Sequence, residues 1–317
     1  MIGNSRAFQH AVRLIDRMAR YAVPVLVHGE TGTGKELAAR AIHYQGRRRD
    51  QPFVPVNCGA IPDTLIENEL FGHDRGAFTD ARNRREGLIA CAHDGTLFLD
   101  EVDALSPKAQ VTLLRFLQDQ QYRPLGGGRD RQADVRIIAA TNADLAQLCE
   151  HGRFRLDLYY RLCILELSMP PLREREGDAV LLASHFVARI AAQHGEQERA
   201  IGPDSLRWFE RYAWPGNVRE LENLVCRAVL LTDGEVIEVA PPSGVAGEGR
   251  PDPLELDFSK AKALTLQQFE RRYLASVLAR AKGNVTLAAQ LAGKERRAFG
   301  KLIKKHSIDR ICYRTGT

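Results

Sequence analysis

The chain has 317 residues, of which 44% are hydrophobic, and this is enough for two or three domains with a sizeable core. No stretch approaches the roughly 18 consecutive apolar residues of a membrane-spanning helix, and the N-terminus is too polar for a signal peptide. The six cysteines form no C-x-x-C pair, which argues against a zinc site or a redox pair. We therefore expect a cytoplasmic protein in a reducing compartment, with no membrane partner.

The net charge of +5 is distributed unevenly along the chain. From Ser259 to the end there are 14 Lys and Arg against 3 Asp and Glu, whereas the first 258 residues carry a balance of −6. A basic module on a mildly acidic body is typical of a nucleic-acid-binding tail. A solvated basic surface is the alternative that charge alone leaves open.

The first motif, HGETGTGKE (28–36), has the spacing of a phosphate-binding loop. It connects an apolar strand pattern (23–29) to a helix pattern (35–45), so the backbone N–H groups of the loop can approach phosphates at a helix N-terminus. Lys35 is expected to reach the β- and γ-phosphates of ATP, but Glu36 stands where a hydroxyl usually coordinates Mg²⁺. The nucleotide-binding residues predicted in this segment are Gly29, Glu30, Thr31, Gly32, Thr33, Gly34, Lys35 and Glu36.

A second apolar strand pattern, within GTLFLDEVDAL (95–105), ends in two carboxylates. Asp100 is predicted to hold Mg²⁺, directly or through water, and Glu101 to act as the base that orients the attacking water. Two solvated carboxylates at a strand end are the alternative. The preceding Leu97–Phe98–Leu99 run favours a buried strand that delivers both carboxylates into a site.

The third strand pattern covers residues 135–140 and ends in Thr141 and Asn142, polar groups that can sense a γ-phosphate. Three strands alternating with helices predict an α/β fold with a parallel sheet, which binds ligands at the carboxyl ends of its strands. From residue 171 to residue 237 the pattern becomes helical, and residues 238–258 are rich in Pro and Gly, as in a linker. Trp208 and Trp214 in the helical region are predicted to be packing residues.

The tail, residues 259–317, has the pattern of a small all-α module. Asn284 is placed to cap a short helix, and a turn at Gly293 leads into a strongly basic helix. Two short helices joined by a glycine turn predict a helix-turn-helix that binds double-stranded DNA, and a basic helical bundle for oligomerisation is the alternative. The predicted DNA-binding residues are Lys294, Arg296, Arg297, Lys301, Lys304 and Lys305.

These motifs together resemble the AAA+ ATPases that activate sigma-54 RNA polymerase, the bacterial enhancer-binding proteins. The resemblance covers nearly the whole chain and rests on GETGTGKE, with its glutamate at 36, NCGAIPDTLIENELFGHDRGAFTDA, GTLFLDEV, RIIAATN, FRLDLYYRL, PPLRERE and WPGNVRELENLV. It implies that the chain contains an AAA+ P-loop NTPase fold and consists of four parts. The implied parts are an α/β ATPase subdomain (1–170), a helical lid subdomain (171–237), a linker (238–258) and a Fis-type helix-turn-helix domain (259–317).

The resemblance also implies roles for single residues. Asn57 would be the switch that holds Glu101 away from water, and Arg219 would be the sensor in the lid. Arg155 and Arg161 would be arginine fingers that reach the nucleotide of a neighbouring subunit, where a guanidinium neutralises charge in the transition state. The implied assembly is a homo-oligomer, expected to be a hexameric ring. Ile2 and Gly3 would lie next to the adenine.

The loop that contacts sigma-54 in this family reads GAFTGA, but here it reads GAFTDA. Glycine adopts a left-handed conformation without cost and Asp tolerates it better than most residues, so the loop can keep its turn. A second loop (122–134) is implied to move with the first. The residues assigned to sigma-54 contact are Gly76, Ala77, Phe78, Thr79, Asp80 and Ala81.

The resemblance therefore implies an ATP-hydrolysing activator that binds upstream DNA and remodels sigma-54 RNA polymerase holoenzyme to open promoters. Asp80 keeps an alternative open. In that case the protein would be a DNA-binding regulator, either a repressor or a partner of another sigma factor, that uses ATP mainly to control its oligomerisation.

Overall fold

The structure is a computed structural model that falls into two compact units, Met1–Pro241 and Pro242–Thr317. The residues it describes are 1–77, 83–195, 197, 199–232, 234, 236–241, 257, 270, 273–274, 277–278, 281 and 284–305, except for the side chains of Asp63, Thr64 and Lys304. Most of the predicted linker and the sigma-contact residues Phe78 to Ala81 lie outside this set. Within it, no helix is both long enough and apolar enough to cross a membrane.

The first unit contains most of the regular structure. Its strands are β1 (Val25–His28), β2 (Phe53–Asn57), β3 (Gly72–His73), β4 (Arg85–Glu86), β5 (Thr96–Asp100), β6 (Gln121–Tyr122), β7 (Arg131–Gln132), β8 (Arg136–Thr141), β9 (Leu165–Ser168), β10 (Ala200–Ile201) and β11 (Val236–Ile237). Its helices are α1 (Arg6–Met18), α2 (Lys35–Tyr44), α3 (Asp63–Phe71), α4 (Leu88–Cys91), α5 (Pro107–Asp119), α6 (Leu145–Glu150), α7 (Leu156–Leu162), α8 (Asp178–His194), α9 (Pro203–Phe209) and α10 (Asn217–Leu231).

Five strands form a parallel sheet in the order β2–β5–β8–β1–β9, which confirms the predicted α/β class. Side chains along a strand alternate between the two faces. Leu97 and Leu99 pack on one face, in a core to which α3, α5 and α7 contribute, whereas Phe98 packs on the other face with α1 and α2. Because both faces are covered, the interior residues of the central strands are apolar, and polar residues stand only at the strand ends.

The carboxyl ends of the sheet strands bring the predicted site residues to one edge. Asn57, at the end of β2, pairs in register with Asp100, at the end of β5. His28, at the end of β1, pairs with Thr141, at the end of β8. The phosphate-binding loop follows β1 directly, so it lies along the same edge as the acidic residues.

The lid consists of α8, α9 and α10, with α8 packed against α10. The predicted packing role of the two tryptophans is confirmed. Trp214 is buried and its indole N–H donates to the Phe209 carbonyl at 2.9 Å. Its ring stacks on Trp208, with 5.4 Å between the centroids.

A buried ion pair holds the segment before α1 against the start of α8. The Asp178 carboxylate accepts hydrogen bonds from the backbone N–H groups of Asn4 and Ser5, and from Arg175 at 3.0 Å. Burial raises the pKa of Asp178, but these hydrogen bonds outweigh it and leave the pKa below its ordinary value. The Arg175 guanidinium also lies over the Phe8 ring at 4.0 Å and donates to the Ile2 carbonyl. Pairing is what makes such a buried charge tolerable.

The second unit contains α11 (Val285–Leu291) and α12 (Arg296–Lys305). Asn284 caps α11 as predicted, since its side-chain oxygen accepts from the N–H groups of Thr286 and Leu287 at 3.0 and 3.3 Å. Phe299 of α12 is buried in a small apolar core with residues such as Leu278 and Ala288. Most of the predicted helix that precedes α11 lies outside the described residues.

Candidate nucleotide-binding site

The phosphate-binding loop makes a close approach to the lid at Gly32. This residue has φ of +81°, and a Cβ placed on it would lie only 2.3 Å from the Gly216 carbonyl oxygen. The Gly32 carbonyl also accepts from the N–H of Val218, near the start of α10, at 3.0 Å. Both the backbone conformation and the lack of space therefore require glycine here.

Lys35 begins α2 and lies across the loop. Its Nζ donates to the carbonyl oxygens of Gly29 at 2.8 Å and Glu30 at 3.2 Å. Burial lowers the pKa of Lys35, and the nearby Asp100 and Glu101 carboxylates oppose that shift. The Lys35 ammonium group therefore lies near the N-terminus of α2 and near the Asp100 and Glu101 carboxylates, a position from which it can bind a polyphosphate.

The acidic pair sits at the end of β5. The Asp100 Oδ1 accepts from the Glu101 N–H at 3.0 Å, and Glu101 has an unusual left-handed φ of +53°. This conformation places the Glu101 carboxylate against Gly59, where an added Cβ would lie 2.2 Å from Oε2 and 3.4 Å from the Asn57 Oδ1. Among the described residues, the Asn57 amide oxygen accepts a hydrogen bond from the Ala60 N–H at 3.0 Å, and Asn57 has no hydrogen bond to Glu101. Sequence reasoning missed Gly59, whose small size lets the two side chains converge.

The two residues after the third predicted strand face different partners. The Thr141 hydroxyl is buried and donates to Asp103 at 2.5 Å. The Asn142 amide donates to the Thr31 hydroxyl in the phosphate-binding loop at 3.1 Å. Asn142 thus contacts the phosphate-binding loop directly, whereas the Thr141 hydroxyl contacts Asp103 instead.

These groups surround a cavity of about 230 Å³. The predicted site residues that line it are Thr31, Gly32, Gly34, Lys35, Glu36, Asp100, Glu101, Asn142 and Arg219. The Glu36 carboxylate nevertheless accepts two hydrogen bonds from Arg40, at 2.9 and 2.8 Å, one turn along α2. The structure therefore brings loop, acids and lid arginine together around one space.

A second cavity, of about 240 Å³, adjoins the first. It is mostly apolar, with Ile2, Phe8 and Phe186 among its walls. The two cavities share Gly34, Leu37, Val218 and Glu222, so they form one groove with a charged end and an apolar end. Such a groove matches the chemistry of a nucleotide, which joins charged phosphates to a flat base.

Arg173 and Asn217, which are outside the predicted set of site residues, connect the phosphate-binding loop to the lid through hydrogen bonds to Glu30. Glu30 does not line the cavity, and instead Arg173 donates to both of its carboxylate oxygens, at 2.9 and 2.6 Å. The buried Asn217 donates to Glu30 at 3.1 Å and to the Thr31 carbonyl at 3.0 Å, and accepts from the Leu172 N–H at 2.7 Å. The hydrogen bond from Arg173, followed by that from Asn217, lowers the pKa of Glu30 to about 2.

The two predicted arginine fingers lie away from both cavities of their own chain. Arg155 precedes α7 and pairs with Asp157 at 3.0 and 2.7 Å. Arg161, in the last turn of α7, is exposed, with no hydrogen bond or ion pair among the described residues. Neither side chain completes the site within one chain.

The described base of the sigma-contact loop packs against the second loop. The N–H of Leu125 donates to the Gly72 carbonyl, and the Asp74 N–H donates to the Leu125 carbonyl, at 2.9 and 3.0 Å. The Asp74 carboxylate also pairs with Arg131 at 2.9 Å and Arg84 at 3.8 Å. The bases of the two loops are therefore held together by backbone bonds and by a shared carboxylate.

The predicted DNA-binding side chains lie on one helix and the turn before it. Lys294, Arg296, Arg297, Lys301 and Lys305 are exposed. Lys305 pairs with Glu270 at 3.0 Å, and the side chain of Lys304 is outside the described set. Phe299, Leu302 and Ile303 face the core, so the helix has a basic outer face and an apolar inner face, as predicted.

Two family models match this chain in succession. The Sigma-54 interaction domain matches residues 1–168, and the AAA+ ATPase lid domain matches residues 173–241. The chain is 44% identical over 302 residues to the transcriptional regulatory protein GlrR of Escherichia coli K12, covering 94% of this chain and 66% of GlrR. It is 42% identical over 315 residues to the phenol regulator MopR of Acinetobacter guillouiae, covering 97% of this chain and 56% of MopR. The chain thus spans between about half and two thirds of the length of these curated relatives.

A similar solved structure is NtrX from Brucella abortus in complex with ATP, with a TM-score of 0.75 and 33% identity over 97% of this chain and 70% of that one. The NtrX complex with ADP gives a TM-score of 0.72 at 34% identity, over 97% of this chain and 69% of that one. The fold, the two family models and the identity to these curated regulators agree. The chain belongs to the family of transcriptional regulators that carry a sigma-54 interaction domain, an AAA+ ATPase module with a helical lid.

Proposed function

We propose that this protein is an ATP-hydrolysing transcription activator that binds upstream DNA and remodels sigma-54 RNA polymerase holoenzyme to open promoters. The observation that carries the proposal is the cavity shared by Lys35, Asp100, Glu101 and Arg219. A cation, two acids and a lid arginine around one cavity are what nucleotide hydrolysis needs. The NtrX complexes with ATP and ADP support nucleotide binding in the same fold.

In this mechanism Lys35 exchanges its hydrogen bonds to the Gly29 and Glu30 carbonyls for bonds to the β- and γ-phosphates. The backbone N–H groups of the loop bind the same phosphates. Asp100 fits Mg²⁺, because its second carboxylate oxygen has no hydrogen-bond partner among the described residues and carboxylate oxygen is a preferred ligand of this ion. When bound, Mg²⁺ neutralises charge on the phosphate oxygens.

Glu101 acts as the base that orients and deprotonates the attacking water. Asn57 is the switch beside it, since both side chains converge on Gly59. Asn142 senses the γ-phosphate by giving up its hydrogen bond to Thr31, and the adjacent Thr141 is held by its hydrogen bond to Asp103. Arg219 closes the lid over the phosphates.

Arg155 and Arg161 act on the nucleotide of a neighbouring subunit in a homo-oligomer, which we expect to be a hexamer. Their distance from the cavities of their own chain supports this role. Breaking the exposed Arg155–Asp157 pair costs little, because exposed ion pairs are typically worth about 0–1 kcal/mol. A guanidinium at the transferring phosphoryl group is worth far more.

The two packed loops carry the motion to sigma-54. Gly76 and Ala77 begin the contact segment, and Gly126 of the second loop lies so close to it that a Cβ added to Gly126 would be only 2.7 Å from the Ala77 Cβ. A shift in one loop must therefore move the other. Phe78 and Thr79 would be the contacting pair, with Asp80 beside them. The basic face of α12 would bind DNA phosphates upstream of the promoter.

The decisive experiment is open-complex formation on a sigma-54 promoter, with purified holoenzyme, this protein and ATP, and a Glu101→Gln variant as the hydrolysis control. Opening that depends on ATP and is lost in the variant supports the activator. ATP turnover without opening favours the alternative regulator, whose motivation is Asp80. If the Asp80→Gly variant then restores promoter opening, Asp80 in the sigma-contact loop is the cause of the loss.

A further inference from the structure

We infer that Glu222 recognises the sugar of the nucleotide and makes the site selective for ribonucleotides over deoxyribonucleotides. The inference rests on the proposed function, because it assumes that a nucleotide occupies the groove between phosphate-binding loop and lid.

The position of the sugar follows from the two adjoining cavities. With the phosphates bound by Lys35 and the loop in the charged cavity, the adjoining, mostly apolar cavity is left for the base. The sugar links phosphates to base, so it must lie where the cavities meet. The residues common to both cavities are Gly34, Leu37, Val218 and Glu222.

Only Glu222 among these four carries a polar side chain. Gly34 has no side chain, and Leu37 and Val218 are apolar. A ribose presents two hydroxyl groups that donate hydrogen bonds, and a carboxylate is their strongest acceptor in proteins. The junction therefore offers one suitable acceptor for a sugar hydroxyl.

The Glu222 carboxylate is held in place and still has acceptor capacity. Arg189, on α8, donates to Glu222 Oε1 across the lid, and its guanidinium lies 5.0 Å from the centre of the Phe186 ring. The second oxygen, Oε2, has no hydrogen-bond partner among the described residues. Arg189 thus orients the carboxylate and leaves Oε2 for the ligand.

The test is calorimetric binding of ADP, 2′-deoxyADP and 3′-deoxyADP to the full chain, because these ligands are not hydrolysed. Wild-type protein should bind ADP about tenfold more tightly than at least one deoxy analogue, as expected for a lost hydrogen bond to a charged acceptor. In Glu222→Ala the preference should fall to about one, because no acceptor is left for the hydroxyl. The analogue that is bound less tightly identifies the hydroxyl that donates.

The matched control is Glu210→Gln, an exposed lid carboxylate outside both cavities, which should keep the full preference. If Glu222→Ala does not fold, Glu222→Gln decides, since the neutral amide keeps the shape and should reduce the preference to about threefold or less. An undiminished preference in the folded variant overturns the inference, as does equal binding of all three ligands by wild type. Absence of ADP binding by wild type overturns the proposed function itself.

Discussion

At the scale of single residues, the backbone conformation of Glu101 determines where its carboxylate lies. A left-handed φ of +53° costs about 1–2 kcal/mol for a residue with a Cβ. In this conformation the carboxylate lies beside Gly59, close to the Asn57 side chain. Strain of this kind is stored where function needs a side chain in one place.

We predict that Glu101→Gln keeps ATP affinity but lowers turnover by about 10²–10⁴-fold, because the amide cannot accept a proton from water. Phosphate release and calorimetry on the same preparation separate the two effects. Glu150→Gln, an exposed acid at the end of α6, serves as the control and should match wild type. Unchanged turnover in Glu101→Gln would show that another group activates the water.

A second prediction at this scale concerns pH. The folded protein lowers the pKa of Glu30 from 4.5 to about 2, so its pairing with Arg173 stabilises the fold at pH above 4.5 and less as pH falls toward 2. Because both side chains are more than 40% exposed, we expect less than about 1 kcal/mol. Urea unfolding should show Glu30→Gln less stable than wild type at pH 7, by a margin that shrinks below pH 4.5. A margin that does not change with pH would contradict the prediction.

At the scale of elements, the start of α10 joins lid and loop through one buried amide. Asn217 has a left-handed φ of +51°, and its side chain bonds Glu30, Thr31 and Leu172. Asn is among the few residues with a Cβ that tolerate this conformation. One residue therefore sets both where the helix begins and how the lid meets the loop.

Replacing Asn217 by Ala leaves the Leu172 N–H and the Thr31 carbonyl without these partners. We expect the free energy of unfolding to fall by about 2–3 kcal/mol, and ATP affinity to fall with it. Thermal unfolding and calorimetry measure the two losses. Asn223→Ala, on the exposed face of the same helix, should change neither. Equal behaviour of the two variants would mean that the tether contributes nothing.

The basic outer face of α12 gives a prediction about salt. If Arg296 and Arg297 each contact a DNA phosphate, replacing both by Ala should reduce the slope of log affinity against log salt by about 1.8. Fluorescence anisotropy with a random-sequence duplex at several salt concentrations measures the slope. Arg207→Ala, on the lid, should leave it unchanged. A slope that does not move in the double variant would place DNA binding elsewhere.

At the scale of the whole molecule, Arg155 and Arg161 lie outside both cavities of their own chain, so the proposed function requires them to act on a neighbouring subunit. We predict that ATP turnover per subunit rises with protein concentration. Lys35→Ala and Arg161→Ala should each be nearly inactive, but mixing them should restore part of the turnover, because each variant supplies what its neighbour lacks. A mixture as inactive as its components would argue against catalysis between subunits.

Local patterns were sufficient to predict a large part of the fold and of the candidate site. The phosphate-binding loop, the strand ending in Asp100 and the strand ending in Thr141 are each specified by residues adjacent in the chain. Because parallel strands end at a common edge, three separate motifs predict one site. The roles of Asn57, Arg155, Arg161, Arg219 and the GAFTDA loop came from family resemblance, and they stay predictions.

The sequence by itself determined the fold class, the phosphate-binding loop, the acidic pair and the basic face of α12, because periodicity and short motifs act over a few residues. Only the tertiary structure placed Arg173 and Asn217 on Glu30, across 143 and 187 residues of chain. It also decided that Glu222 lies where the two cavities meet. Such contacts depend on how the lid packs on the sheet, and no local spacing of residues encodes that geometry.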